Sequence, residues 1–202
     1  MFEVTFDKLL GFVMSSDEIK VDPAKIKAIQ DLSIPRTQKE VRGFMGWLNY
    51  ISRFISHLTD KCDPIFKFLK KHDSGEWDED YQKGFDRVKE YLFNPLVLVP
   101  LVLERLLILY LAIHEKSMGC VLGQHDETKR KKRVIYYLSK KFTDYESRYL
   151  SVEKICCALA WIVKRLRQYM LCYTTWLIMR LDPIKYIFEK PSLLGRITRW
   201  QV

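Results

Sequence analysis

Apolar positions along this chain change their spacing at two points. From Phe2 to Ser15 the residues around Leu9-Leu10-Gly11-Phe12-Val13 are β-prone, and Ser15-Ser16-Asp17 then reads as a polar turn. From residue 20 the spacing becomes helical. Asp22-Pro23 predicts a helix start, because Asp caps free N–H groups and Pro is tolerated at the first helical position. Ile26 and Ile29 follow at apolar spacing, and Pro35 closes the segment. Thr37-Gln38-Lys39-Glu40 has the T-x-x-E form of a capping box, and Val41, Phe44, Met45, Leu48 and Ile51 then share one helical face. Further helices are predicted over residues 55–71 and 78–93.

Pro95 and Pro100 mark the second change. Residues 106–113, 119–124 and 134–139 read as short strands, with the charged stretch 127–133 as a hairpin loop between the last two. Ser151 is expected to cap a long helix whose Ile155, Leu159, Ile162 and Leu166 fall on one face. Residues 174–179 read as another strand and 183–188 as a helical turn. Three strands, a helix and a strand alongside predict an α/β domain with a mixed sheet and a flanking helix, preceded by a small all-helical unit.

Composition adds one asymmetry. The chain has 202 residues and a formal net charge of +9. Residues 1–100 hold 15 Lys+Arg against 16 Asp+Glu, and residues 101–202 hold 19 against 9. The excess therefore sits in the second half at +10, where a phosphate-bearing partner is the natural fit. A solvated basic surface without a specific partner accounts for the charge equally well. The five cysteines (Cys62, Cys120, Cys156, Cys157 and Cys172) show no metal-ligand spacing and no disulfide pattern, so they read as small buried side chains in a reducing, intracellular setting, cytoplasm or nucleus. No signal peptide is visible and no apolar run is long enough to span a bilayer, so no membrane partner is expected.

Several motifs resemble the Pol polyprotein of gypsy-type LTR retrotransposons, particularly the plant versions. Leu10-Gly11-Phe12 resembles the family's primer-grip strand, and Val21-Asp22-Pro23 with Lys25-Ile26 and Ala28-Ile29 the start of its thumb. Phe44-Met45-Gly46, Asn49-Tyr50 and Arg53-Phe54-Ile55 resemble the thumb signature, while Trp77, Phe85 and Leu92 match the pattern that precedes the RNase H domain. Gly119-Cys120-Val121-Leu122-Gly123-Gln124, Tyr136-Tyr137-Leu138-Ser139, Tyr149 with Glu153-Lys154 and Ala158, and Gly195-Arg196 with Arg199-Trp200 resemble segments of that domain in order. Leu96, Leu101, Leu103 and Leu106 depart from it, standing where plant relatives often carry a proline-rich linker.

The resemblance implies three parts: residues 1–19 as the end of the reverse transcriptase palm, 20–93 as a helical thumb-like region, and 94–202 as an RNase H-like domain truncated at its C-terminus. It implies partners as well, namely an RNA–DNA hybrid or other nucleic acid and the rest of the polyprotein. The thumb positions that would follow a template–primer duplex are Arg42, Asn49 and Arg53. The basic stretch Lys129, Arg130, Lys131, Lys132 and Arg133 is a second candidate for phosphate contact. For each, solvation of an exposed surface is the competing reading. Trp161 and Tyr169 invite a stacking role, but aromatic side chains at helical spacing are more often core.

RNase H chemistry needs two divalent cations held by clustered carboxylates, and Mg²⁺ requires oxygen ligands. The resemblance puts the first carboxylate position, twelve residues before Gln124, at Ala112, and the next two positions follow from it in the same way. The helix carboxylate position is Ile155, and Glu153 is two residues away, roughly 200° round the helix. The third position is Leu181, or Asp182 with a one-residue shift, although Asp182 before Pro183 also reads as a helix cap. The expectation is therefore no catalytic site, no metal and no cofactor; Mg²⁺ would be needed only if the site were intact. Two alternatives remain, an active ribonuclease using Glu115, Glu153 and Asp182, and a structural or protein-binding remnant.

Overall fold

Two consecutive residues with positive φ, Leu10 at 50° and Gly11 at 77°, fold the first β-prone stretch back on itself. The stretch is therefore a hairpin of β1 (Asp7–Leu9) and β2 (Phe12–Met14), not one strand. The computed structural model describes residues 7–70, 79–94, 96–126 and 131–180. The chain divides into two compact units, residues 1–101 with 135–137, and residues 102–134 with 138–202.

In the first unit β2 continues through the Ser15–Glu18 turn into β3 (Ile19–Val21), which pairs with the two-residue β4 (Val97–Leu98). The result is an antiparallel four-stranded sheet in the order β1-β2-β3-β4. Leu96 and Leu98, part of the leucine-rich stretch, are buried there. All regular structure described between β3 and β4 is helical. α1 (Pro23–Gln30) starts as expected, with the Asp22 carboxylate accepting from the Ala24 N–H at 3.0 Å. α2 (Gln38–Tyr50) carries the full capping box, Thr37 Oγ1 accepting from Glu40 N–H at 3.2 Å and Glu40 Oε2 accepting in return from Thr37 N–H at 3.3 Å.

The single helix expected over 55–71 is broken. A 3₁₀ turn (Ser52–Phe54) leads to α3 (Leu58–Lys61) and α4 (Asp63–Lys70). His57 takes a left-handed φ of 50° before α3, and Pro64, which has no N–H to donate, sits in the first turn of α4. α5 (Glu79–Tyr91) closes the bundle; Gly84 lets it approach the Pro64 ring, which an added Cβ would meet at 3.1 Å. Phe44 and Phe85 meet at 4.9 Å in a core that also buries Ile29, Val41, Leu48 and Tyr81.

The second unit is built on a mixed sheet in the order β7-β6-β5-β8. β5 (Leu107–Ile113) runs antiparallel to β6 (Ser117–His125) and parallel to β8 (Thr175–Ile178). β7 is Lys132–Lys141. Reaching a parallel neighbour requires a crossover, and α6 (Ser151–Arg165) with α7 (Arg167–Met170) supplies it. α6 begins one residue earlier than expected: Leu150 is the cap, its N–H donating to Glu153 Oε2 at 3.0 Å, and Ser151 is already helical. Ile155, Ile162 and Leu166 are buried as the periodicity predicts, whereas Leu159 is half-buried and Ala158 is buried in its stead. The second unit is thus a mixed α/β sheet with a flanking helix, as the sequence predicts, and the helices α1 to α5 precede it in the chain. No helix among the described residues is long and apolar enough to cross a membrane.

Candidate nucleic-acid interface

The rotation of α2 is fixed by burial of Val41, Phe44 and Leu48, which leaves Arg42, Gly43, Gly46 and Asn49 exposed. Residues 42, 46 and 49 follow one another at helical spacing and form a polar stripe. Both glycines are open: a Cβ added at Gly43 or Gly46 would meet nothing within 4 Å. Glycine inside a helix costs stability relative to alanine, and no intramolecular contact here asks for it. At the end of the stripe Arg53 is half-buried in the 3₁₀ turn, its guanidinium 4.4 Å from the Phe12 ring and 5.4 Å from that of Phe54. Arg53 thus differs from Arg42 and Asn49 in having its charged plane stacked on aromatic rings.

The hairpin tip is bound to the same helix. Tyr50 Oη donates to the Leu10 carbonyl, its ring stacks on Phe12 at 5.0 Å, and a Cβ at Gly11 would collide with the Tyr50 hydroxyl. Lys25 lies 5.5 Å from the Trp47 ring. Arg42, Asn49, Lys25 and Trp47 make this a basic, partly aromatic surface on rigid elements. Neither Gly43 nor the hairpin anchor belonged to the expected site; the Leu-Gly pair was the only signal for the anchor.

The second basic candidate is redistributed. Lys129 and Arg130 lie outside the described residues. Lys131 caps the loop, its N–H donating to the Asp126 carboxylate at 3.2 Å. Lys132 and Arg133 belong to β7 rather than to a hairpin loop. β7 ends the described sheet, and an end strand tolerates charge on its outward positions. The Lys132 ammonium stands 4.6 Å from the Tyr110 ring. Gly123 allows the close approach of β7, since a Cβ there would meet the Arg133 carbonyl oxygen at 2.7 Å.

Two of the positions where the resemblance would put carboxylates, Ala112 and Ile155, are apolar and fall within the described residues. Ala112 is near the end of β5 and Ile155 is 4% exposed on α6, which packs against β5. Leu181 and Asp182 lie outside the described residues. The carboxylates nearby have other tasks. Glu153 caps α6, and Glu115 sits in the exposed turn after β5, where its main-chain carbonyl accepts from Lys154 Nζ at 3.0 Å. Glu146 accepts from Lys140 Nζ at 2.6 Å, the Thr143 N–H at 2.8 Å and the Cys157 thiol at 3.3 Å. Burial works against its ionisation, but those donors prevail and hold the carboxyl below its usual range. Within the second unit, no three His, Cys, Asp or Glu ligand atoms among the described residues lie within 4.8 Å of one another. A pair of hard divalent cations does not fit this donor set.

A cavity of about 640 Å³ lies instead between residues 103–106 and 172–174, away from Ala112 and Ile155. Gln124, buried, ties β6 to the segment before β5, its side chain bonding Val102 N–H and carbonyl at 3.0 Å and the Arg105 carbonyl at 3.1 Å. Burial pushes the thiols of Cys62 and Cys120 up to about 12. Cys172, by contrast, is exposed and not a buried side chain as expected. Trp161 is half-buried with Lys140 5.8 Å from its ring, and Tyr169 belongs to α7 rather than to the long helix.

Residues 103–202 match the RNase H-like domain found in reverse transcriptase. The chain is 27% identical over 194 residues to the retrovirus-related Pol polyprotein from transposon 297 of Drosophila melanogaster, covering 96% of this chain and 18% of that protein. It is 28% identical over 201 residues to the corresponding polyprotein from transposon 412, covering 98% of this chain and 16% of that one. A Tf2-3 transposon polyprotein of Schizosaccharomyces pombe is 26% identical over 192 residues, covering 95% and 14%. The chain thus spans less than a fifth of each of these relatives. The foamy viral protease-reverse transcriptase in complex with dsDNA superposes with a TM-score of 0.82 at 17% identity, over 98% of this chain and 42% of that one. The same viral protein in complex with RNA/DNA hybrid gives 0.79, also at 17% identity, over 98% and 27%. Residues 103–202 are thus similar to the RNase H-like domain found in reverse transcriptase, and the chain is similar over most of its length to a short part of transposon Pol polyproteins.

Proposed function

We propose that this chain is the thumb and RNase H-like portion of the Pol polyprotein of a gypsy-type LTR retrotransposon of the plant kind, and that it holds nucleic acid while its RNase H-like domain does not cut it. On this reading residues 1–19 are the end of the palm, 20–93 the thumb and 94–202 the RNase H-like domain. It works inside the cell, in cytoplasm or nucleus, alongside the rest of the polyprotein. The loss of chemistry rests on Ile155: the position that must present a carboxylate to metal is instead a core side chain, buried on the face of α6 that faces β5. Binding rests on the exposed Arg42, Asn49 and open glycines of α2, which suit a duplex backbone drawn close to the helix.

Two measurements on residues 1–202 test the two halves. Incubation with an RNA–DNA hybrid and Mg²⁺ is expected to give no cleavage; EDTA-sensitive turnover would restore the active-ribonuclease reading with Asp182 as a ligand. Titration of duplex binding against salt is expected to show a steep slope that falls by about one on Arg42→Gln, as loss of one phosphate contact requires. A flat salt dependence would leave only a structural or protein-binding remnant.

A further inference from the structure

Strand register in the second unit sorts side chains onto two unlike faces. Leu107, Leu109 and Leu111 of β5 are all buried, with Cys120 and Leu122 of β6 beside them. On the opposite face, Ile108 pairs with Trp176 and Tyr110 with Ile178 of β8. There burial fails towards β8: Ile108 is covered, Tyr110 is half-buried, Ile178 is exposed, and Trp176 is 61% exposed. β8 ends the sheet among the described residues. An indole standing in water on an end strand forgoes most of the stabilisation its burial would give.

The charges on that face indicate what covers the ring. Lys132 reaches over Tyr110, placing its ammonium 4.6 Å from the ring and therefore on the Trp176 side of the sheet. Trp176 and Ile178 alternate outward on β8, and Arg180, exposed, stands two residues beyond its end. The half of the sequence that forms this unit carries the net +10. Tyr110 has its ring occupied by the ammonium; Trp176 does not. An open π face flanked by cations is the arrangement that stacks one unpaired base and meets its phosphates. A duplex keeps its base faces internal and cannot use the ring. A protein partner for an apolar patch would be served poorly by two cations on the same face.

We propose that the Trp176 face of the second sheet is a platform for single-stranded nucleic acid, with Trp176 stacking a base and Lys132 and Arg180 contacting phosphates. This rests on the nucleic-acid reading above and adds to its duplex surface a second site, for single strands. The test uses residues 1–202 and fluorescein-labelled twelve-nucleotide oligo(dT) against a labelled duplex of the same length, read by anisotropy across a salt series. Trp176→Ala is expected to weaken oligo(dT) binding about tenfold or more while duplex binding holds, and Trp176→Phe to keep most of the affinity. Lys132→Gln is expected to lower the single-strand salt slope by about one. Circular dichroism of each variant and sedimentation of wild type accompany the titrations. Unchanged oligo(dT) affinity in folded Trp176→Ala overturns the platform, as does a wild-type dimer that this substitution dissociates without affecting binding. If wild type binds the duplex but not the single strand, this inference alone fails. Binding to neither removes the nucleic-acid reading with it.

Discussion

The exposed stripe of α2 and the buried stripe of α6 are opposite outcomes of the same helical periodicity. On α2 the residues at issue, Arg42, Gly46 and Asn49, face away from a core that Val41, Phe44 and Leu48 already satisfy. Nothing inside the molecule requires them. On α6 the position at issue, Ile155, belongs to the core itself, in line with Ala158, Ile162 and Leu166. A binding surface can stay recognisable because stability scarcely depends on its residues, whereas an absent carboxylate becomes hard to restore once packing has used the space. The carboxylates that remain near α6 point the same way. Glu146 and Glu153 hold a turn and a helix start.

The largest effect should come from forcing the buried stripe to resemble a catalytic one. Ile155→Glu places an unpaired carboxylate in the core and is expected to cost about 3–5 kcal/mol in chemical denaturation. The double variant Ala112→Asp/Ile155→Glu is expected to remain without hybrid cleavage. A loss under about 1 kcal/mol would show that α6 can turn this position outward, and the contrast between the helices would collapse.

Next comes Glu146. Its folded carboxyl titrates below the ordinary range, so its contribution is complete at neutral pH and is lost as pH falls through that lowered value. Glu146→Gln should therefore reduce stability by about 1 kcal/mol at pH 7, a difference that closes in acid. Melting curves from pH 7 to 3 decide it; a gap that stays constant with pH would assign the loss to packing rather than to the Lys140 bond.

The smallest effect carries opposite signs on two readouts. Gly46→Ala should stabilise the first unit by about 0.5–1 kcal/mol, since alanine favours helix and finds open space here. Duplex affinity should nevertheless fall several-fold, because the added methyl stands where a backbone would come close. If both quantities rise, the glycines of α2 serve no close approach.

Local signals were legible in the sequence where one side chain answers a nearby backbone group. The Thr37–Glu40 box and the Asp22 cap appear in the structure as the sequence predicts, and the α6 period does so except at Leu159, which is half-buried. The Leu10-Gly11 turn was read as strand because leucine rarely adopts positive φ, and only the Tyr50 hydroxyl and Gly11 together make it favourable here. The break at Pro64 was overridden by strong apolar periodicity on both sides. Lys132 and Arg133 were assigned to a loop by their charge, which an end strand accepts. The pairing of β3 with β4 and the three bonds of Gln124 join segments distant in sequence, and no window of neighbouring residues contains them.

That pairing of β3 with β4 has a consequence for how the chain comes into being. Val97 and Leu98 complete a sheet whose other strands are the earliest described part of the chain. As the polypeptide leaves the ribosome, the hairpin and β3 emerge first, and five helices must follow before their last partner arrives. During that interval the β3 edge presents unpaired N–H and carbonyl groups that any other extended segment can take. Synthesis of this unit therefore has a vulnerable window that ends only when two hydrophobic residues beyond the helices are made.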